Sequence, residues 1–410
     1  MSNLTEKLRL LGVNVSKRDL PPVNMTTRPV KSNLLSILNG EYKYNEFGTS
    51  FVIENYFAYG SLEKLEIPKP KEKLHSIANW CGDLGIIEHE PDKLVFIDTE
   101  TSGLAGGTGT YTFLIGAGKF EEHQFNISQF FLHDPAEESA QLYALETFIS
   151  GCRTVVTYNG KSFDIPLLNT RFITHGWKPI FSELGHIDLL HLARRLWHDR
   201  IPSRTLGNIE TNVLGIFRTQ EDVPGWMIPQ IYFDFLQFGD TIQLKNVQYH
   251  NMMDVLSLSL LFNYLIDLIN DPYSFVTSDE DFLSLAKFHE EIDNIQIAIA
   301  LYQKCLDMPI LPRKRITALD RLAAIYKRQN NLSNAIPLWE EAAQQEHLNA
   351  YLELAKYYEH HEHNIFKALQ LTNQAIRILE RTSNTDLNKI KWLPELEHRQ
   401  NRLIRLSMQN

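Results

Sequence analysis

The residues that could do chemistry begin at the end of an apolar run, where Leu94-Val95-Phe96-Ile97 leads into Asp98-Thr99-Glu100. Four apolar residues closed by Thr101-Ser102-Gly103 read as a buried strand. On a strand, positions i and i+2 share a face about 6.5–7 Å apart. Two carboxylates there repel each other and resist desolvation, a conflict that hard divalent cations such as Mg²⁺ or Mn²⁺ resolve. The plainer reading is a solvated strand end with two surface acids. A third acid, Asp164, follows the β-branched run Thr154 to Tyr158 and the turn Asn159-Gly160. As a helix start before Ile165-Pro166 it also suits a capping role. A fourth, Asp254, lies in an otherwise apolar helix with His250 at i−4, about 40° away round the helix. A buried carboxylate needs a partner, and a structural histidine–aspartate pair would supply one.

Asp98, Glu100, Asp164 and Asp254, in this order and on these elements, resemble the DEDD 3′–5′ exonucleases of the ribonuclease H-like superfamily. Phe163-Asp164 with Leu168 matches the second motif of that group. The string Asp98 to Thr110, the later Pro224-Gly225-Trp226 and a helical tail are most similar to the YprB-like bacterial RNase H-like proteins. The resemblance covers about residues 94–268. It implies a nuclease that binds two ions, Mg²⁺ or Mn²⁺, through the four acids, and acts at single-stranded DNA or RNA ends. Two such ions stabilise the attacking and leaving oxygens of an in-line displacement. The family's base lies five residues before the last aspartate when it is histidine and four before when it is tyrosine. Here Tyr249 holds the first spacing and His250 the second, so the types are interchanged. Imidazole titrates near neutrality and a phenol does not, which favours His250. Thr101, Leu104, Asn159, Lys161 and Phe163 fall where the resemblance implies substrate contacts, Leu104 against the terminal base. An endonuclease of the same superfamily would use the same ligands, and a non-catalytic adaptor would keep the fold alone.

Those acids need a mixed sheet flanked by helices: strands at 94–98, 111–117 and 125–132, a helix from Pro135 to Phe148, a strand at 154–158 and a helix from Asp164. Further helices are expected at 187–196 and 206–214, a loop at 223–229, and a long helix from 247 to 268. Gly103 to Gly109 reads as a strand-connecting turn, because it lacks the Gly-Lys-Ser/Thr of a phosphate loop. Residues 1–90 read as an extension, with strand or hairpin content at 46–57 and a helix near 74–80. Lys161, Arg194, Arg195, Arg200 and Arg204 form the densest basic group, available to phosphates. Asp188 suits a helix cap.

At 410 residues several units are expected: the extension 1–90, an α/β domain at 91–271 and an all-helical region at 279–410. In the last, Leu285-Ala286, Ala298 and Tyr302 align with Leu322-Ala323, Ala335 and Trp339, then with Leu354-Ala355, Ala368 and Thr372, one residue being inserted. Small and large residues at these offsets are tetratricopeptide-like, and three units suffice for a stacked core able to bind a protein partner. Three scattered cysteines give neither a disulfide framework nor a zinc site. The net charge of −10 argues against electrostatic coating of nucleic acid. No secretory signal or membrane span is expected, and the chain reads as cytoplasmic.

Overall fold

In the chain's computed structural model, the described residues are 31–408 apart from 62–65, 67, 84, 87–88, 104–108, 220–221, 277, 382 and 384–385. Leu104, most of the glycine-rich turn and the N-terminal stretch to residue 30 lie outside them.

Strand β3 (Leu94–Thr101) organises the rest. Its first four residues are buried and its last four only partly so, so the apolar run ends where the acids begin. The other strands are β1 (Glu41–Asn45), β2 (Gly48–Ala58), β4 (Thr112–Phe120), β5 (Gln124–Phe131), β6 (Thr154–Thr157) and β7 (Gly185–Asp188). The described strands form one sheet in the order β1-β2-β5-β4-β3-β6-β7. Pairing is antiparallel from β1 to β3 and parallel from β3 through β6 to β7. The hairpin β1–β2 comes from the stretch read as an extension. It pairs with β5 and so belongs to the sheet.

Helices cover both faces. They are α1 (Lys31–Leu38), α2 (His75–Cys81), α3 (Glu138–Ile149), α4 (Asp164–Thr174), α5 (Leu189–Trp197), α6 (Ile228–Phe238) and α7 (Leu244–Asn270). Strand alternation divides the core. Val95 and Ile97 face Leu142, Leu145, Leu168 and Phe172 of α3 and α4. Phe96 faces the other way and meets Phe262 of α7 with ring centroids 5.6 Å apart. Asp98 and Glu100 continue the Phe96 side, which aims them at α7, whereas Thr99 faces α4. Gly116 lies opposite Asp98 in the β3–β4 register. A Cβ there would fall 2.4 Å from Asn251 Oδ1 and 2.7 Å from Val255 Cγ2, so this glycine lets α7 reach the acids. Gly116→Ala is expected to cost about 1–3 kcal/mol of stability through overpacking and to displace α7. Denaturant unfolding checks the first effect and divalent-cation affinity the second.

Three sequence expectations change. Residues 223–229 are not all loop: α6 starts at Ile228, with Pro229 in its first turn, a position that needs no backbone donor. Ile187 and Asp188 end β7 rather than start a helix; Asp188 then caps α5, accepting from Leu190 N at 3.1 Å. The expectation that no segment approaches a membrane span is qualified too. Helix α7 is long and apolar enough by length and composition, but 78% of its most apolar window is buried inside the protein, so it is the core helix between the sheet and its neighbours.

Beyond α7 the chain is helical: α8 (Asp281–Glu291), α9 (Ile295–Leu306), α10 (Pro312–Arg328), α11 (Leu332–Gln344), α12 (Leu348–His360), α13 (Ile365–Glu380) and α14 (Leu387–Ser407). Consecutive helices pack on one another. The aligned alanines Ala286, Ala298, Ala323, Ala335, Ala355 and Ala368 are all fully buried, as close helix contacts require. Ion pairs Arg195–Glu291 at 2.7 Å and Arg200–Asp281 at 2.9 Å tie α5 and the turn after it to α8.

Candidate active site

The four acids arrive on three elements. Asp98 and Glu100 come from the end of β3, Asp164 is the first residue of α4, and Asp254 stands in the middle of α7. All are partly buried, so they are desolvated by the fold yet open on one side. Thr99 Oγ1 donates to Asp164 Oδ1 at 2.5 Å. Asn251 Nδ2 donates to Asp98 Oδ2 at 2.9 Å and to the Asp98 carbonyl at 3.1 Å. Asn251 is itself fixed, since Gln129 Nε2 donates to its Oδ1 at 2.9 Å. A hydrogen-bonded line from β5 through α7 therefore sets the Asp98 carboxylate.

Burial and mutual repulsion dominate the electrostatics. Burial first, then Asp254 and Asp164, push the Asp98 carboxyl well above the usual carboxylate range. Glu100 is raised likewise by burial and by Asp98, Asp254 and Asp164. Burial pushes Asp164 up to about 6 against the hydrogen bond from Thr99. It raises Asp254 also, against the pull of His250 and Arg218. Such a cluster calls for added positive charge.

His250 supplies a directed lone pair. Its Nδ1 lies 2.6 Å from Asp222 Oδ1. An ionised carboxylate only accepts, and this contact is much shorter than the 3.3 Å from Arg218 Nη1 to the same nitrogen, so the proton is assigned to Nδ1 and Nε2 is left to accept. Nε2 lies 3.4 Å from Asp254 Oδ2 and 3.8 Å from Glu100 Oε1. Ligand atoms of Glu100, His250 and Asp254 lie within 4.8 Å of one another. Tyr249 sits elsewhere: its hydroxyl accepts from Thr219 N at 3.4 Å. One residue along the helix thus turns the phenol away from the acids and the imidazole toward them. The donor set is hard carboxylate oxygens with one imidazole nitrogen, which fits Mg²⁺ or Mn²⁺.

Binding such an ion requires ionised acids, and here the sign matters. The folded chain holds protons on these carboxyls at pH values where the unfolded chain has lost them, so stability of the ion-free protein falls as pH rises through the raised values. A divalent ion reverses that loss. The rise in melting temperature on adding Mn²⁺ is therefore expected to be large at pH 8 and to shrink as pH is lowered through about 6, the Asp164 value. Scanning calorimetry at both pH values checks this; equal shifts at pH 8 and pH 5 contradict it.

The remaining sequence candidates spread around this centre. Phe163 is 60% exposed, immediately before Asp164. Asn159 has a left-handed φ of 66°; its backbone N–H and that of Lys161 donate to Asp188 at 2.8 and 3.1 Å. The Asp188 carboxylate thereby holds the turn between β6 and α4 in shape, and Lys161 stays exposed. A cleft of about 530 Å³ opens beside that turn, lined by Tyr158, Asn159, Arg194, Ser203, Arg204 and Thr205 among others. Thr101 Oγ1 donates within its own turn, to the Gly103 carbonyl at 3.0 Å. Of the basic group, Arg195 and Arg200 are taken by α8, and Arg204 donates to the Ile201 and Pro202 carbonyls at 2.9 and 2.8 Å. Four residues at the site escaped sequence reasoning: Asn251, Asp222, Arg218 and Glu210. Asn251 carried a faint signal, at i−3 from Asp254 on the same helix. Glu210 lies in the short helix expected at 206–214, where a lone acid carries no signal, and Arg218 and Asp222 come from the aperiodic loop after it.

Residues 95–266 match the RNase_H superfamily. The Bacillus subtilis (strain 168) protein YprB is 36% identical over 298 residues, covering 70% of each chain. A PolC-type DNA polymerase III from Mycoplasma pneumoniae is 30% identical over 159 residues, 32% of this chain and 11% of that one. A family B DNA polymerase of known structure from Pyrobaculum calidifontis aligns with a TM-score of 0.34 at 14% identity, over 52% of this chain and 28% of that one, too loosely to carry weight. The match over β3 to α7, and the extent of the likeness to YprB, show that this chain belongs to the RNase H superfamily.

Proposed function

We propose that this protein is a divalent-cation-dependent nuclease, and specifically a 3′–5′ exonuclease on single-stranded nucleic acid ends. The observation that carries the reading is the convergence of Asp98, Glu100, Asp164 and Asp254, with His250 Nε2 directed among them. The Mycoplasma relative is a DNA polymerase, which supports a nucleic acid substrate. Two ions, Mg²⁺ or Mn²⁺, would supply Lewis-acid stabilisation of the phosphodiester and its leaving oxygen. Asp98 would hold both, with Glu100, Asp164 and Asp254 completing the donor set. His250 Nε2 would accept the proton of the attacking water, and Asp222 holds the ring in the tautomer that permits this. Exposed Phe163 offers a ring for a base to stack on, and Lys161 and Arg194 offer charge to the phosphates. The compartment is read as cytoplasmic, and the helical region as a tetratricopeptide-like surface for a protein partner.

Oligonucleotides blocked at the 3′ end, at the 5′ end or at both distinguish exonuclease from endonuclease. The reading expects 3′ blocking alone to stop degradation. Internal cleavage of a doubly blocked strand would instead assign an endonuclease with the same acids.

A further inference from the structure

Within the acid cluster the positive charge is placed unevenly. Arg218 follows the helical turn Glu210–Leu214, and its guanidinium is clamped by Glu210, Nε to Oε2 at 2.7 Å and Nη2 to Oε1 at 2.6 Å. The Glu210 side chain is only 1% exposed and that of Arg218 12%. A bidentate pair of this kind fixes the plane of the guanidinium as well as its charge. Nη2 also donates to Asp254 Oδ1, and Nη1 lies 3.5 Å from Asp222 Oδ1. One oxygen of Asp254 is therefore already taken by a fixed cation, and Oδ2 is left toward His250 Nε2 at 3.4 Å. On the other side, no lysine or arginine among the described residues is ion-paired to Asp98, Glu100 or Asp164.

We propose that Arg218 is a built-in cation of the site, occupying Asp254 Oδ1 in place of a second divalent ion, so that the substrate-free protein holds one divalent ion. This rests on the ion-binding reading above and goes beyond it by assigning the ions unequal sites. Arg218 acts here as a positioning residue: it touches Asp254 and sets what that carboxylate can still bind.

The test counts ions rather than turnover. Full-length protein without nucleic acid is titrated with Mn²⁺, and free Mn²⁺ is followed by its paramagnetic resonance signal. Wild type is expected to bind one ion per chain. Arg218→Gln is expected to bind two, the second site tightening by about tenfold or more as the competing charge is lost. Arg218→Lys, which keeps the charge, should stay at one. Because Arg218→Gln leaves buried Glu210 without its partner, the double variant Arg218→Gln/Glu210→Gln is titrated beside it, with the same gain expected. An unchanged count and affinity in a folded variant overturns the proposal, as does weakened binding. Two ions on the wild type overturn it while leaving the ion-binding reading intact; no ion on the wild type defeats that reading itself.

Discussion

Asp98→Asn is expected to lower cleavage by about 10³-fold or more, which corresponds to about 4 kcal/mol of lost transition-state stabilisation. The same substitution should raise the melting temperature of the ion-free protein at neutral pH. Both effects follow from one arrangement. Burial, with repulsion from Asp254 and Asp164, holds the Asp98 carboxyl well above the ordinary range. Folding therefore works against that charge above the ordinary carboxylate value, and a neutral amide of nearly the same shape relieves it. Asparagine is the informative replacement because its carbonyl oxygen can still accept from Asn251 Nδ2, so the Gln129–Asn251 line survives. An amide would be a poor ligand for a divalent cation, so catalysis should fall while the ion-free fold gains stability. A variant that is both less active and less stable would point to a structural role for Asp98. Calorimetry and initial rates on the same preparation separate the two outcomes.

His250→Ala is expected to reduce the rate by about 10²–10⁴-fold, the range of general-base contributions, whereas Tyr249→Phe should leave it within a few fold. The two residues are neighbours in sequence and had exchanged the spacings of the two exonuclease subtypes. Helix α7 separates them in space. His250 Nε2 is 3.4 Å from Asp254 Oδ2, while the Tyr249 hydroxyl is 3.4 Å from Thr219 N. Asp222→Asn should fall between these variants, since an amide no longer selects the Nδ1–H tautomer. Full activity in His250→Ala, or a severe loss in Tyr249→Phe, would reverse the assignment.

How far the site could be read from the sequence follows from the range of the interactions involved. Asp98 and Glu100 stood out as a local pattern, an apolar run leading into acids with i, i+2 spacing, which alone reads equally as two surface acids. Asp164 and Asp254 joined them only through the resemblance to the DEDD exonucleases, since alone one reads as a helix cap and the other as half of a histidine–aspartate pair. His250 was favoured by helical phase and by imidazole chemistry. Arg218, Asp222 and Glu210 were not legible. Arg218 reaches Asp254 across 36 positions of chain, and nothing in an aperiodic loop announces where it will return. The fold divided the same way. The central strands and the long core helix showed clear runs. Helix α6 was hidden by Pro224, Gly225 and Pro229, which read as turn signals although the last of them suits a first helical turn. The hairpin β1–β2 was visible, but its pairing with β5 is a contact between distant segments that no local pattern encodes.

The central claim, that these four carboxylates form a cation-dependent nuclease centre, is tested most directly on one end-labelled single strand. The 5′-labelled oligonucleotide, as DNA and as RNA, is incubated with purified full-length protein and Mg²⁺ or Mn²⁺, with chelator and Asp98→Asn alongside. The account predicts a ladder of labelled products shortening stepwise from the 3′ end, abolished by chelator and by the substitution. No cleavage with either cation on either nucleic acid, or equal cleavage by Asp98→Asn, would contradict it.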